Sequence, residues 1–340
     1  MTRFRMRDQD SSSSSSSRRV AVKISENKKA IVVGAIAAIA VSTVILLILT
    51  SQNYYQKLPA NLGRTSLARF NVTNATDRFG ILKIYPTAKD GETWFFNSAD
   101  PNDGQFDPNG AEVSRNQDGS WHVNPGITRI LAFTKSSGHP SDKLRSNLPT
   151  YNYSKLAEQG YWYKPSDWKN VEVTGYFKFL SADPTASEGN ALSLVTRSVR
   201  HNENVHLGCG GSSYHNNIEL FHGKFNFKKE EWHVHYDILP LSENGIGPTF
   251  GRWVGFKGIV YNLPDGKVKL ESYVDKQDNN HWEKADEYVD SGNWGDDMTR
   301  CGAKTPGALV SWASPMVIFK STYVTYDFGY LSVREIQPFK

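Results

Sequence analysis

An all-β chain, an antiparallel β-sandwich that follows one N-terminal transmembrane helix, is what three features of this sequence predict. Past residue 80, short apolar or alternating runs succeed one another at close spacing, with turn residues between them and no helical period interleaved. Aromatic residues make up 12% of the chain, and 27 glycines with frequent Asn and Asp supply the tight turns that many strands need. The third feature is a single charge-free apolar run, Ala30 to Thr50, close to the N-terminus.

Residues 1–29 are basic and Ser-rich, and their unbroken Ser11 to Ser17 run offers nothing to a core, so they read as a tail. Residues 30–50 provide roughly 20 apolar positions, which at ~1.5 Å rise per residue match a hydrocarbon layer ~30 Å thick. Eight basic residues (Arg3, Arg5, Arg7, Arg18, Arg19, Lys23, Lys28, Lys29) precede this run against three acids (Asp8, Asp10, Glu26). The positive-inside rule therefore puts the N-terminus in the cytoplasm and the C-terminal domain outside the cell, as a single-pass membrane protein. A cleaved signal peptide is the rival; the run is long for one, and SQNYYQKLPA after it lacks a small-x-small cleavage site. Three sequons, at Asn71, Asn74 and Asn152, fall on the exported side and permit glycosylation. The net charge of +4 is concentrated in the tail; the rest of the chain is close to neutral and has no basic cluster, so no nucleic-acid partner is expected.

Residues 51–80 read as an extracellular linker, and 81–340 as one β-sandwich domain. The expected strands are 81–85, 93–97, 121–123, 129–133, 171–180, 191–197, 217–222, 231–238, 252–262, 267–275, 287–289 and 323–336. Between 252–262 and 267–275, Leu263-Pro264-Asp265-Gly266 is the strongest hairpin signal in the chain. Alternation along these two strands sends Val254, Phe256, Gly258, Val260, Val268, Leu270 and Val274 inward. It leaves Trp253, Lys257, Tyr261, Lys269, Glu271, Tyr273 and Asp275 on the opposite face. A face mixing aromatic rings with charged groups suits sugars, since rings stack on pyranose faces and charged groups hydrogen-bond hydroxyls; these seven residues are the expected ligand face.

The stretch Val205 to Asp237 concentrates chemistry: a Gly-rich turn, Cys209, and five of the nine histidines. Read as one strand, Glu231, His233, His235 and Asp237 alternate with an apolar set, placing two imidazoles and two carboxylates on one face.

From about Tyr161 to Phe339, the segments EVTGYFKF, KKEEWHVHYD, RWVGFKGIVYN-LPDG-KVKLESYVD and YVTYDFGYLSVREIQP resemble the concanavalin A-like lectin/glucanase jelly roll. That resemblance implies a polysaccharide bound or cleaved on the concave sheet. Motif by motif, however, no catalytic role carries over. The Glu-x-Asp-x-x-Glu strand of retaining glucanases is absent. The nearest carboxylate pair, Glu271 and Asp275, is four residues apart, too far at ~3.3 Å per residue for the ~5 Å retaining geometry. Of the alginate-lyase patterns, only Thr196-Arg197-Ser198-Val199-Arg200 is a faint echo.

A lyase needs a base titrating near neutrality beside a cation, and His215, His233, His235, Tyr214 and Arg197 are the residue types for it. His233 and His235 lack a nameable third ligand, so no metal site is expected; no cofactor is implied, with a structural calcium left open. Cys209 and Cys301, both exported, are expected to pair. Three functions stay open: a membrane-anchored polysaccharide-binding protein, a polysaccharide lyase or inverting glycosidase, and a structural cell-envelope protein.

Overall fold

The computed structural model describes residues 75–99, 105–135, 167–185, 190–200, 211–301, 303 and 305–338. The expected transmembrane segment, the tail, the linker up to residue 74, the asparagines of all three sequons and Cys209 lie outside the described residues. Among the described residues no helix is long and apolar enough to cross a membrane.

Fifteen strands follow in chain order: β1 Thr93–Phe95, β2 Phe106–Asp107, β3 Val113–Arg115, β4 Trp121–Val123, β5 Ile127–Phe133, β6 Val171–Ala182, β7 Ala191–Arg200, β8 Gly211–Glu219, β9 Phe225–Glu231, β10 His235–Ile238, β11 Trp253–Asn262, β12 Val268–Asp275, β13 Glu283–Asp290, β14 Met316–Thr322 and β15 Val324–Glu335. One 3-10 turn, Thr299–Cys301, is the only helical element among the described residues. The strands form an eight-stranded sheet in the order β13-β12-β11-β6-β15-β4-β3, with β1 also on β15, and a seven-stranded sheet in the order β10-β9-β8-β7-β14-β5-β2. All pairings between strands are antiparallel, and the chain passes repeatedly from one sheet to the other, as in a jelly roll.

Period-two alternation builds the core. Val171, Val173, Phe177 and Phe179 of β6 and Val254 and Phe256 of β11 face Leu192, Leu194, Ile218, Phe225 and Phe319 of the other sheet. Each such side chain, fully buried, contributes about 1.5–3 kcal/mol of transfer free energy. The sheets approach closely at Asn216, whose amide donates to Glu271 O at 2.8 Å and Ser272 Oγ at 3.1 Å across the interior. Glycine at 258 leaves room for this contact, since a Cβ would sit 3.0 Å from Asn216 Cβ and press on it. The Leu263–Gly266 turn joins β11 to β12 as expected, with Gly266 at φ 87.

Several expectations need correcting. The strand expected over 231–238 is a hairpin: β9 ends at Glu231, β10 starts at His235, and the Val234 N–H donates to Glu231 O at 3.0 Å across the turn. Trp232 and His233 occupy it at φ 49 and 59, the left-handed pair of a type I′ turn that Asn-Gly normally fills. The strands at 106–107, 113–115, 225–231 and 316–322 were not expected, β8 runs over 211–219 rather than 217–222, and the strand expected over 81–85 is reduced to a single bridge between Thr76 and Leu82.

Candidate functional site

The expected ligand face exists, but it is covered. Lys257, Tyr261, Glu271 and Asp275 are all buried. Residues 75–87 lie over this face: the N–H groups of Ile84 and Tyr85 donate to Glu172 Oε2, and the Tyr85 hydroxyl donates to Glu271 Oε2 at 2.8 Å, 3.2 Å from the Tyr261 hydroxyl. Lys257 Nζ lies 2.8 Å from Glu172 Oε1 and Arg334 Nη2 lies 2.7 Å from Oε2, a buried ion triad. Burial alone would raise Glu172, but Lys257 and Arg334 outweigh it and hold the carboxyl below its usual range. Asp275 accepts from the Tyr176 hydroxyl and from the N–H groups of Gln277, Asn279 and Asn280. Lys269 pairs with Glu287 at 3.1 Å, and Tyr273 lies under Lys284. With Trp253 half-buried at the strand start, the seven residues share one side of the sheet as expected, and most of their hydrogen-bonding capacity is spent on protein partners.

The candidate catalytic residues divide. Tyr214 points inward, where its hydroxyl donates to Asp290 Oδ2 at 2.6 Å. Arg197, buried at φ 56 beside a β-bulge, donates to the carbonyls of Lys169 and Val310. His235 Nδ1 is 3.8 Å from Asp296 Oδ2, on the side of β10 away from His233. Tyr214 and Arg197 meet in the interior around Val310, and His215 and His233 come together around Glu230 on the outer face of the seven-stranded sheet.

That face follows from register. Cα pairing aligns Arg129, Lys320, Ser193, Asn217 and Asn226 in one row across β5, β14, β7, β8 and β9. The next row runs Leu131, Ile318, Val195, His215, Lys228, Ile238, and a third brings Ser213, Glu230 and Tyr236 into line. A groove of about 210 Å³ opens here, lined among others by Ser193, Asn217, Glu219, Asn226, Lys228, Lys320 and, from the edge, Ile238 and Leu241.

Glu230 organises the third row. Ser213 Oγ–H donates to its Oε2 at 2.8 Å, His215 Nε2 lies 3.3 Å from the same oxygen, and the Tyr236 hydroxyl donates to Oε1 at 3.2 Å. His233 Nδ1 contacts Oε1 as well and lies 2.7 Å from the Tyr236 hydroxyl. Burial would raise Glu230, yet hydrogen bonds from His215, His233 and Ser213 outweigh it and keep the carboxyl well below its usual range. Burial pushes His215 down to about 4, against the pull of Glu230 and with help from Lys228 and Lys320, so the imidazole is neutral at pH 7. With Nε2–H directed at Glu230, Nδ1 is left with its lone pair, buried and without a hydrogen-bond partner among the described residues. Among the described residues no group of His, Cys, Asp or Glu is arranged to hold a metal ion.

Ser213, Asn217, Asn226, Lys228, Glu230 and Tyr236 escaped the sequence reading. Their signal was present in Phe225-Asn-Phe-Lys-Lys-Glu-Glu231, where Asn226, Lys228 and Glu230 alternate with inward Phe225 and Phe227. Cys301 is buried against Trp232 and Met298.

No family model matches the sequence, and no curated protein matches it. Among solved structures it is similar to the Ca2+/Man3GlcNAc-bound exoplasmic/lumenal domain of VIP36, at TM-score 0.38 and 10% identity over 69% of this chain and 86% of that one. It is also similar to peanut lectin, at TM-score 0.34 and 8% identity over 73% and 99%. A third is the endo-β-1,4-glucuronan lyase of the fungus Trichoderma reesei, at TM-score 0.36 and 7% identity over 68% and 92%. These are remote likenesses, and the functional reading below is drawn from the side chains.

Proposed function

We propose that this chain is a polysaccharide-binding protein whose ligand lies in the groove on the outer face of the seven-stranded sheet. One observation carries the reading: amides and a hydroxyl (Asn217, Asn226, Ser193) share that groove with apolar side chains exposed at its rim, Ile238 at 53% and Leu241 at 44%, and Tyr236, 40% exposed, lies next along the face with its ring 4.6 Å from the Lys228 ammonium. Sugars demand that combination, since their hydroxyls need paired donors and acceptors while their C–H faces need a ring or aliphatic platform. Asn217 is already fixed by donating to Asn226 Oδ1 at 2.9 Å, and Asn226 by donating to Leu239 O at 3.0 Å. Donors held in place lose little entropy on binding.

A second reading, catalysis on the same face by a lyase or inverting glycosidase, is favoured by the cluster of neutral His215, Glu230, His233 and Tyr236. A phenol 2.7 Å from an imidazole nitrogen is a pair able to exchange a proton with a bound sugar. Residues 30–50 complete the proposal by anchoring the chain in the cell membrane with its β-domain outside.

Glycan-array retention of the full-length chain, with Tyr236→Ala and Asn217→Ala alongside, tests the binding reading. Retention lost in both variants at unchanged melting temperature supports it, and no retention of the wild type rejects it in favour of a structural envelope role. Formation of unsaturated or reducing ends that stops in Tyr236→Phe would establish the second reading. Protease accessibility of the β-domain on intact cells tests the topology.

A further inference from the structure

A second polar row crosses the outer face of the eight-stranded sheet at its β3 edge. Cα pairing sets Ser114 of β3 opposite His122 of β4, and His122 opposite Asp327 of β15. Alternation sends their neighbours Trp121, Val123, Tyr326 and Phe328 into the core, so the row stands on the other side of the sheet. Polar rows are ordinary on a solvated sheet face. The order of this one is distinctive: a carboxylate, an imidazole and a hydroxyl occupy three successive strands, with the imidazole in the middle.

His122 is held as a general base has to be held. Its Nδ1 lies 2.8 Å from Asp327 Oδ1, with the imidazole 25% and the carboxylate 13% exposed. A carboxylate only accepts, so the ring proton of the neutral imidazole sits on Nδ1 and the lone pair on Nε2. Across β4 from Asp327, β3 carries Ser114 with its side chain exposed. Directly paired residues have Cβ atoms about 5 Å apart, which puts a serine hydroxyl within reach of an imidazole by side-chain rotation. No hydrogen bond joins the two among the described residues, and contacts of this kind tighten when substrate is in place.

The edge position supplies an oxyanion donor. On either side of Ser114, the Asn116 N–H donates to Ser120 O at 2.8 Å and the Asn124 N–H to Glu112 O at 3.2 Å. Hydrogen-bonded pairs recur every second residue in an antiparallel ladder, so Ser114 directs its N–H at β4 and Arg115 turns its N–H out of the sheet. β3 ends the sheet, so that N–H meets no further strand. The N–H of the residue after a serine nucleophile is the donor that hydrolases use for a developing oxyanion. Beside the row, Gly329 follows Asp327 on the same face of β15, and a Cβ there would meet nothing within 4 Å, which leaves open ground for a substrate.

We propose that Ser114, His122 and Asp327 form a second site, one that hydrolyses acyl esters and is separate from the groove. His122 Nε2 takes the Ser114 hydroxyl proton as Oγ bonds to the ester carbonyl carbon, and the carbonyl π pair moves onto oxygen beside the Arg115 N–H. Return of that pair breaks the bond to the alcohol oxygen, which leaves with the proton from His122. Water repeats the two steps on the acyl-serine, releasing the carboxylic acid and restoring Ser114. Asp327 is a positioning residue that fixes the tautomer and orientation of His122.

The full-length chain is tested for turnover of p-nitrophenyl acetate, for acetate release from an O-acetylated glycan, and for labelling by phenylmethylsulfonyl fluoride, with the adduct located by peptide mass spectrometry. Hydrolysis above the buffer blank is expected, with kcat at least about 100-fold lower in Ser114→Ala and His122→Gln, and a sulfonyl adduct on Ser114 that His122→Gln prevents. Asp327→Asn is expected to lower kcat by a similar factor at unchanged KM and melting temperature, which a merely structural carboxylate would not do. Acetate release from the glycan as well assigns a polymer-borne ester, and hydrolysis of the aryl ester alone assigns a small one. Turnover retained in Ser114→Ala overturns the proposal, and so does the absence of both turnover and adduct in the wild type. Ser114 is exposed, so its replacement by alanine leaves the fold intact and the comparison valid.

Discussion

The Tyr236 hydroxyl and His233 Nδ1 lie 2.7 Å apart across a hairpin turn in which both central residues, Trp232 and His233, adopt left-handed backbone conformations. Such a conformation costs a bulky residue about 1 kcal/mol or more, and it persists only where surrounding contacts enforce it. Here Trp232 is buried against Met298 and Cys301, and its N–H donates to Ser212 Oγ at 2.8 Å. His233 is held instead by the polar cluster of Glu230 and Tyr236. Replacing His233 by glycine is therefore expected to raise unfolding free energy by up to about 1 kcal/mol in urea titrations, while weakening glycan retention. A variant both less stable and fully retained would show that His233 serves the turn alone.

The buried triad Glu172–Lys257–Arg334 gives a second expectation. Removing one member of a buried ion network leaves charge without compensation, at a cost of about 3–5 kcal/mol. Lys257→Ala is expected to destabilise by that order in chemical denaturation. Tyr85→Phe, which only deletes the hydroxyl that binds Glu271, is expected to cost about 1–2 kcal/mol. Because this face lies under residues 75–87, neither change is expected to alter glycan affinity once the protein is folded, and calorimetry checks that.

Gly258 packs directly against Asn216 of the other sheet. Its Cβ, if present, would meet Asn216 at 3.0 Å, and Asn216 is fixed by two hydrogen bonds to β12. Gly258→Ala is expected to lower stability by about 1–3 kcal/mol as the amide is pushed from its partners, with the loss read from the urea midpoint.

How far the fold could be read ahead of the structure depended on alternation and on glycine. Val254, Phe256 and Val260 against Lys257 and Tyr261 is a clean period of two, so β11, β12 and the Pro-Asp-Gly turn between them were legible. Which polar face was open was not. Covering the first one took residues 75–87, whose contacts with Glu172 and Glu271 span more than 80 residues of sequence. The hairpin at Trp232–His233 was hidden because its turn has no Gly, Asn or Pro, so Glu231 to Ile238 mimicked one amphipathic strand. With the turn misread, His233 and His235 fell on the same face, and the partnership of His233 with Glu230 could not be seen. Tyr214 and His215 are neighbours in sequence, and a register known only to one residue does not say which of them faces the groove.

Acid sensitivity should report directly on His215. Its imidazole titrates near 6.5 when the chain is unfolded and at about 4 in the folded protein, where burial excludes the charged form. The unfolded state therefore binds more protons between those values, so stability is fully present above about pH 6.5 and is lost as pH falls toward 4. The lowered Glu230 carboxyl acts in the same direction further down the scale, since its contribution is present above its ordinary range and lost only as it is protonated. Over the His215 window alone the loss is expected to reach about 3 kcal/mol. A His215→Gln variant keeps an amide in place of the imidazole but has nothing to titrate, so its stability should be flatter with pH from 6.5 to 4. Thermal unfolding of both proteins across that range tests it, and parallel curves would place the acid sensitivity in other groups.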